Sequence, residues 1–183
     1  MTRAILIAAA LLCSTLVSAA ISLESAVSRS GTVLFMRHAL APGFGDPEHF
    51  QVDRCETQRI LNETGRQQAR VLGEQMRSAG FHTAVVYSSQ WCRCLETAEL
   101  LGLGPVIKEP GLNSFFQGHT PRDQALQALK QRLETLPLDQ PPVVMVTHQV
   151  TISAVTGLFT QSGGLVSYDL RTGRAEAVAQ DAR

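Results

Sequence analysis

The sequence predicts an α/β fold, a three-layer sandwich around a mainly parallel central sheet. Two observations predict it. Short apolar runs rich in strand formers alternate along the chain with stretches of helical spacing. Those runs also lack a polar alternate face, as expected of strands covered by helices on both sides. The chain has 183 residues, enough for one sizeable core and too few for two. With 44% hydrophobic and 17% charged residues, its composition is that of a globular domain.

Thr32 to Met36 reads as a buried strand that ends abruptly at Arg37-His38. Residues 39–63, with Pro42, Gly43, Gly45 and Pro47, read as a long loop of the kind that usually serves function. A helix is predicted from Thr64 to Ala79, with Ala69, Leu72 and Met76 on one face and Thr64 with Gln67 as a capping box. Ala84 to Tyr87 reads as a second strand, which turns through Ser88-Ser89-Gln90 into a helix over 91–101 closed by Gly102. Residues 105–107 form a third strand, and 111–119 a polar loop. Asp123 to Leu136 has amphipathic spacing, with Leu126, Leu129 and Leu133 facing in. Val143 to Val146 is the most apolar strand and ends in Thr147-His148; a helix over 150–158 and a last strand over 164–170 follow.

Three of these strands end in unusual polar residues, and ligands of open α/β sheets bind outside the carboxyl ends of strands. Arg37, His38, Arg93 and His148 can therefore converge on one small anion. Two guanidinium forks suit phosphate oxygens. One imidazole can attack phosphorus while the second stabilises the charge of the group in transfer. The start of the helix near Trp91 offers dipolar support to the same anion. His49, His82 and His119 read as loop residues without a role, and Trp91, Phe115 and Phe116 as packing.

These residues also carry a family resemblance. Leu34-Phe35-Met36-Arg37-His38-Ala39 resembles the Arg-His-Gly motif of the histidine phosphatase (phosphoglycerate mutase-like) superfamily. Leu61 to Ala69, Ser88 to Ala98 and Val146-Thr147-His148 are similar to its three further motifs, in family order. The resemblance implies the phosphoglycerate mutase-like sandwich, His38 as nucleophile, Arg37 and Arg93 as the phosphate clamp and His148 as charge stabiliser. It implies no metal and no organic cofactor.

Three departures from the pattern stand out. Ala39 replaces glycine, which matters only if the backbone there needs positive φ. Gln149 follows His148 and is expected to touch substrate, as is Arg59 in the long loop. Ser114 stands where many relatives carry a glutamate acid, and serine is no useful proton donor near neutral pH. An acid would then come from Asp46, Asp53 or Glu56; otherwise the leaving group needs little help, as in a phosphohistidine. The expected function is hydrolysis of a small phosphorylated substrate, an envelope sugar phosphate or a phosphohistidine. A catalytically quiet phosphate-binding protein is the alternative, and a mutase is disfavoured by the compact chain.

Charge excludes some partners. Sixteen Lys and Arg balance sixteen Asp and Glu, with no polybasic stretch for nucleic acid or an anionic membrane. Residues 1–20 have the order of a signal peptide: Arg3, an apolar run to Val17, then small residues at 18–20. An uncleaved anchor is the alternative. Residues 21–31 are expected to be a linker, residues 32–183 the domain, and the location periplasmic or secreted. Cys55, Cys92 and Cys94 then allow one disulfide, with Cys92 favoured over Cys94 as the partner of Cys55 because Cys94 lines up with a buried stripe. A metal site at these cysteines is disfavoured by their spacing.

Overall fold

A computed structural model describes residues 20–81 and 85–180. The expected leader, residues 1–20, therefore lies outside the described residues except for Ala20, as do His82 and Ala84.

Six strands form one sheet: β1 (Thr32–Arg37), β2 (Val86–Ser88), β3 (Val106–Lys108), β4 (Val143–Thr147), β5 (Leu165–Asp169) and β6 (Ala175–Ala177). Their order across the sheet is β3-β2-β4-β1-β5-β6. The pairs β1–β4, β4–β2 and β2–β3 are parallel, and β5 and β6 add two antiparallel pairs beside β1. The sheet is thus mostly parallel, as expected. The short β6 had no apolar run to announce it.

Among the described residues five α-helices pack about the sheet: α1 (Leu23–Ser28), α2 (Glu63–Ser78), α3 (Cys92–Leu101), α4 (Arg122–Glu134) and α5 (Gln149–Thr156). Alternate residues of a strand face opposite sides. Leu34 and Met36 of β1 join Leu72, Met76, Cys94, Ala98 and Leu101 of α2 and α3 in one core. Val33 and Phe35 join Leu129, Leu136 and Ile152 in the core on the other face. Covering on both faces explains why β1 and β4 read as unbroken apolar runs.

Several sequence-based boundaries need correction. Residues 21–31 are not a linker: α1 buries Ala26 and Val27 in the first core, and Ile21 bridges Val178. The cap of α2 is Asn62, not Thr64; its side-chain oxygen accepts the Gly65 amide at 2.8 Å. Asn is among the best N-cap residues because its short side chain reaches back to such amides. In α4, Ala125 and Leu129 are buried, whereas Leu126 and Leu133 are only partly covered. No described helix is long and apolar enough to cross a membrane.

Helices α2 and α3 approach closely where Gly73 meets the end of α3: a β-carbon there would run into the Leu101 carbonyl. Helix propensity alone makes Gly73→Ala stabilising by about 0.5–1 kcal/mol. Overpacking costs about 1–3 kcal/mol and should win. Thermal melting is expected to show a lower Tm for Gly73→Ala; a higher one would mean that the two helices separate freely.

Candidate active site

Parallel strands β1 and β4 lie side by side and in register, Arg37 opposite Thr147. The chain leaves both at the same edge, and this places His38 and His148 together, their ring centroids 5.5 Å apart. The backbone amide of His38 donates to the Thr147 carbonyl at 2.9 Å, extending the strand pairing by one residue. The neighbouring β2 delivers Ser89, whose amide donates to Val146, and α3 then carries Arg93 into the same place. Of the four residues expected to converge, His38, Arg93 and His148 are in contact, and Arg37 lies near enough for its charge to act on His38.

The hydrogen bonds define the tautomers. His38 Nδ1–H donates to the Ala39 carbonyl at 2.8 Å, which leaves the lone pair on Nε2. That nitrogen accepts from Arg93 Nε at 3.2 Å. His148 is held the other way round: Nε2–H donates to Ser89 Oγ at 3.0 Å, and Nδ1 accepts from an Arg93 terminal nitrogen at 3.4 Å. Ser89 Oγ in turn donates to Asn113 Oδ1 at 3.2 Å. This Ser89–Asn113 relay was not foreseen, because it joins loops 24 residues apart that carry no shared motif.

Asp46 is the other partner of Arg93. Its oxygens accept from the two terminal nitrogens at 2.7 and 3.1 Å, from the Arg59 amide at 3.0 Å and from Trp91 Nε1 at 3.0 Å. The side chains of Arg93 and Asp46 are 4% and 3% exposed, and His38 and His148 are 3% and 4% exposed. Asp53 and Glu56, the other candidate acids, are exposed. Ser114, at the position of the absent glutamate, accepts from the Phe116 amide at 3.2 Å.

Arg37 donates to the Thr160 carbonyl at 3.1 Å, while its Nε is buried without any partner. An unpartnered buried cationic donor is costly, about 1–3 kcal/mol or more. Arg59 spends its guanidinium on the loop, donating to the carbonyls of Ala41, Gly43 and Gly45. It organises the loop rather than the pocket. Gln149 is likewise engaged: it donates to Ser153 Oγ and the Leu158 carbonyl and accepts the Thr160 amide. The expected substrate contact is thus replaced by support for the segment that anchors Arg37. The first amide of α3, Cys92 N–H, is taken by Gln58 Oε1 at 2.9 Å, so it is not available to an anion as expected.

Burial and neighbouring guanidinium charge push the two histidines in one direction. His38 is lowered to about 3, first by burial and then by Arg93, with Arg59 and Arg37 adding to the effect. His148 is held well below the usual histidine range by burial, Arg93 and His38. Burial favours the neutral acid at Asp46, but the hydrogen bonds and charge of Arg93 outweigh it and keep the carboxyl below its ordinary value. Cys94, whose Sγ lies 3.4 Å from His148 Nε2, is pushed by burial up to about 12 and stays a thiol. The disulfide is Cys55–Cys92, the favoured pairing, and Cys94 is free and buried. Ala39 needs no glycine, because the only positive-φ residue other than glycine among the described residues is Gln117. No three His, Cys, Asp or Glu among the described residues gather to hold a metal ion.

A neutral histidine pair inside a cluster of guanidinium groups at the carboxyl edge of a parallel sheet defines a phosphoryl-handling α/β domain. The histidine phosphatase superfamily (branch 1) model matches residues 33–125, just over half of the chain. The chain belongs to that superfamily, and its class is that of a histidine-type phosphatase. The match takes in His38 and Arg93 but stops short of His148, which the fold supplies.

Solved structures share the fold. A phosphoglycerate mutase from Thermus thermophilus is 20% identical with a TM-score of 0.55, covering 82% of this chain and 99% of its own. A provisionally named phosphohistidine phosphatase, SixA, from Agrobacterium tumefaciens is 18% identical with a TM-score of 0.54, covering 84% and 98%. A provisionally named alpha-ribazole-5'-P phosphatase from Escherichia coli is 17% identical with a TM-score of 0.58, covering 85% and 98%. No curated protein matches the chain in sequence.

The buried histidines give a stability profile with a definite sign. Both are neutral in the folded chain, and both take up a proton near pH 6.5 when unfolded, whereas folded His38 resists protonation down to about 3. The unfolded state therefore binds more protons across that window, so stability is full above its upper end and is lost as pH falls through it. Asp46, lowered in the fold, adds a loss of the same sign at still lower pH. Thermal melts should show Tm falling from pH 7 to pH 4, and less steeply in His38→Gln. A flat profile in the parent protein would contradict neutral burial of the pair.

Proposed function

We propose that the protein is a phosphomonoesterase working through a phosphohistidine on His38. One observation carries this reading: Arg37 and Arg93 lie at the histidine pair with Arg59 behind them, Asp46 is the single carboxylate on these three among the described residues, and the buried Arg37 Nε lacks a partner. Such a cluster is short of negative charge, and a phosphoryl group supplies it. His38 Nε2 carries the lone pair at neutral pH, since Nδ1–H is committed to Ala39 and the ring resists protonation. It attacks phosphorus, and Arg37 and Arg93 take the nonbridging oxygens. His148 Nδ1 faces the same guanidinium and gains proton affinity when the anion enters, which turns it into a donor to the group in transfer. Water then hydrolyses the N–P bond.

The substrate class we infer is a small phosphorylated compound of the cell envelope, a sugar phosphate or a phosphohistidine. An exported location is supported by the leader-like N-terminus and by the Cys55–Cys92 disulfide, a bond that persists in oxidising compartments.

The test is a panel of an aryl phosphate, a sugar phosphate and a phosphohistidine peptide given to the purified chain. Turnover is expected for at least one member, with a radiolabelled phosphoenzyme trapped by an acid-free quench. His38→Ala should lose at least about 1,000-fold in kcat, as removal of a catalytic nucleophile does, with an unchanged circular dichroism spectrum. Retained turnover in that variant would remove the nucleophile assignment. Phosphate binding without any turnover would favour a binding protein instead.

A further inference from the structure

The site closes on its own carboxylate. Arg93 spans the centre, with Nε on His38 and both terminal nitrogens on Asp46. With His38, Arg93 and Asp46 all nearly unexposed, a phosphoryl group that takes the terminal nitrogens of Arg93 displaces Asp46, and its phosphorus takes the place of Arg93 Nε before the His38 lone pair. Resting on the phosphatase reading above, the geometry points to Asp46 as the proton donor to the leaving oxygen, released for that task when the phosphoryl group takes over Arg93.

Three observations support this assignment. In an in-line displacement the leaving oxygen departs on the side of phosphorus opposite the nucleophile. Asp46 occupies the end of the Arg93 guanidinium away from His38, which is that side for a phosphoryl group bound along it. Second, the other carboxylates in residues 39–62, Glu48, Asp53 and Glu56, are exposed, and Ser114 fills the position where an acid was expected. Third, Asp46 sits on a loop tied down on both sides, by Arg59 to the carbonyls of 41–45 and by the disulfide from Cys55 to Cys92. A displaced carboxyl group therefore stays beside the pocket. Arg93 is the foremost of the groups that hold the carboxyl ionised, ahead of the Arg59 amide and Trp91 Nε1; once its donors turn to phosphate, burial and the new anion both favour the protonated form.

The chemistry balances once Asp46, a carboxylate while it sits on Arg93, takes a proton from solvent as the phosphoryl group displaces it. His38 Nε2 forms the bond to phosphorus as the P–O bond to the leaving group breaks. The electron pair goes to that oxygen, and it receives the Asp46 proton, leaving the carboxylate. In the second half, water adds to phosphorus, its proton returns to Asp46, and neutral His38 departs. Release of phosphate lets the carboxyl group give up that proton to solvent and return to Arg93. A carboxylic donor of this kind suits alkoxide leaving groups, so the inference favours a sugar or other alkyl phosphate over a phosphohistidine.

The experiment compares glycerol 3-phosphate, a poor leaving group, with 4-nitrophenyl phosphate, a good one, across pH. In Asp46→Asn, kcat on glycerol 3-phosphate is expected to fall by about 100-fold or more, the usual worth of a general acid, and on 4-nitrophenyl phosphate by less than about tenfold. The high-pH decline of the parent protein on glycerol 3-phosphate should vanish in the variant, and Asp46→Glu should recover part of the loss. Equal losses on both substrates would reduce Asp46 to a loop anchor and overturn the assignment, as would no loss on either. If Asp46→Asn does not fold, the parent pH profiles decide: a high-pH decline equal on both substrates overturns it. A parent protein inactive on every substrate of the earlier panel would instead overturn the phosphatase reading, and this assignment with it.

Discussion

A guanidinium group placed out of water loses several kcal/mol of hydration, and only well-aimed partners make that tolerable. Arg93 has them. Its Nε meets His38, its terminal nitrogens meet Asp46 and His148, and one of them also reaches the Arg59 carbonyl at 3.4 Å. The histidine pair, the long loop and the start of α3 all meet at this one ion pair. Its charge also lies among the causes that depress both histidines, Arg37 and Arg59. Breaking a buried pair of this kind by removing one partner costs about 3–5 kcal/mol. In the reaction proposed above, an incoming phosphoryl group avoids that loss because it replaces one anion by another.

The loop that carries Asp46 has little regular structure, so other bonds hold it. Arg59 collects backbone carbonyls at 41, 43 and 45, as a loop without a strand partner requires. Gln58 Nε2 donates to the carbonyls of Gln51 and Val52, and its oxygen takes the first amide of α3. Phe50 stacks on Trp91 at 4.8 Å, and Trp91 Nε1 donates to Asp46. The disulfide crosses the same boundary one residue before Arg93. The two cysteines, 37 positions apart in the chain, thereby fix the loop to the element that carries Arg93.

The two histidines are alike in burial and opposite in tautomer, and the proposed roles rest on that difference. Ala39 O can only accept, so His38 must keep its proton on Nδ1 and present Nε2. Ser89 and Asn113 hold His148 by Nε2, so that its Nδ1 faces the clamp. The adjacent Cys94 is kept inert by the burial that raises its thiol. Strong perturbation of several titratable groups in one small volume is a mark of a functional site rather than of packing.

Read alone, the sequence determined the alternation of strands and helices, the apolar character of β1 and β4, and the placing of Arg37, His38 and His148 at strand ends. These follow from local pattern: period-2 burial, helical spacing and turn residues depend on neighbours in the chain. It also narrowed the disulfide, because the helical periodicity of 91–101 turns Cys94 inward. It did not reveal that residues 21–31 form α1, or that β6 closes the sheet, since both depend on distant partners such as Val178 and Leu165. Asp46, Asp53 and Glu56 were equivalent as letters in one polar loop. Only the tertiary structure chose among them, because the worth of a carboxylate depends on what it meets, and Arg93 lies 47 residues away. Arg59 and Gln149 mark the same limit: a polar side chain near a site is spent wherever the nearest unpaired backbone group lies, and that place is set by folding.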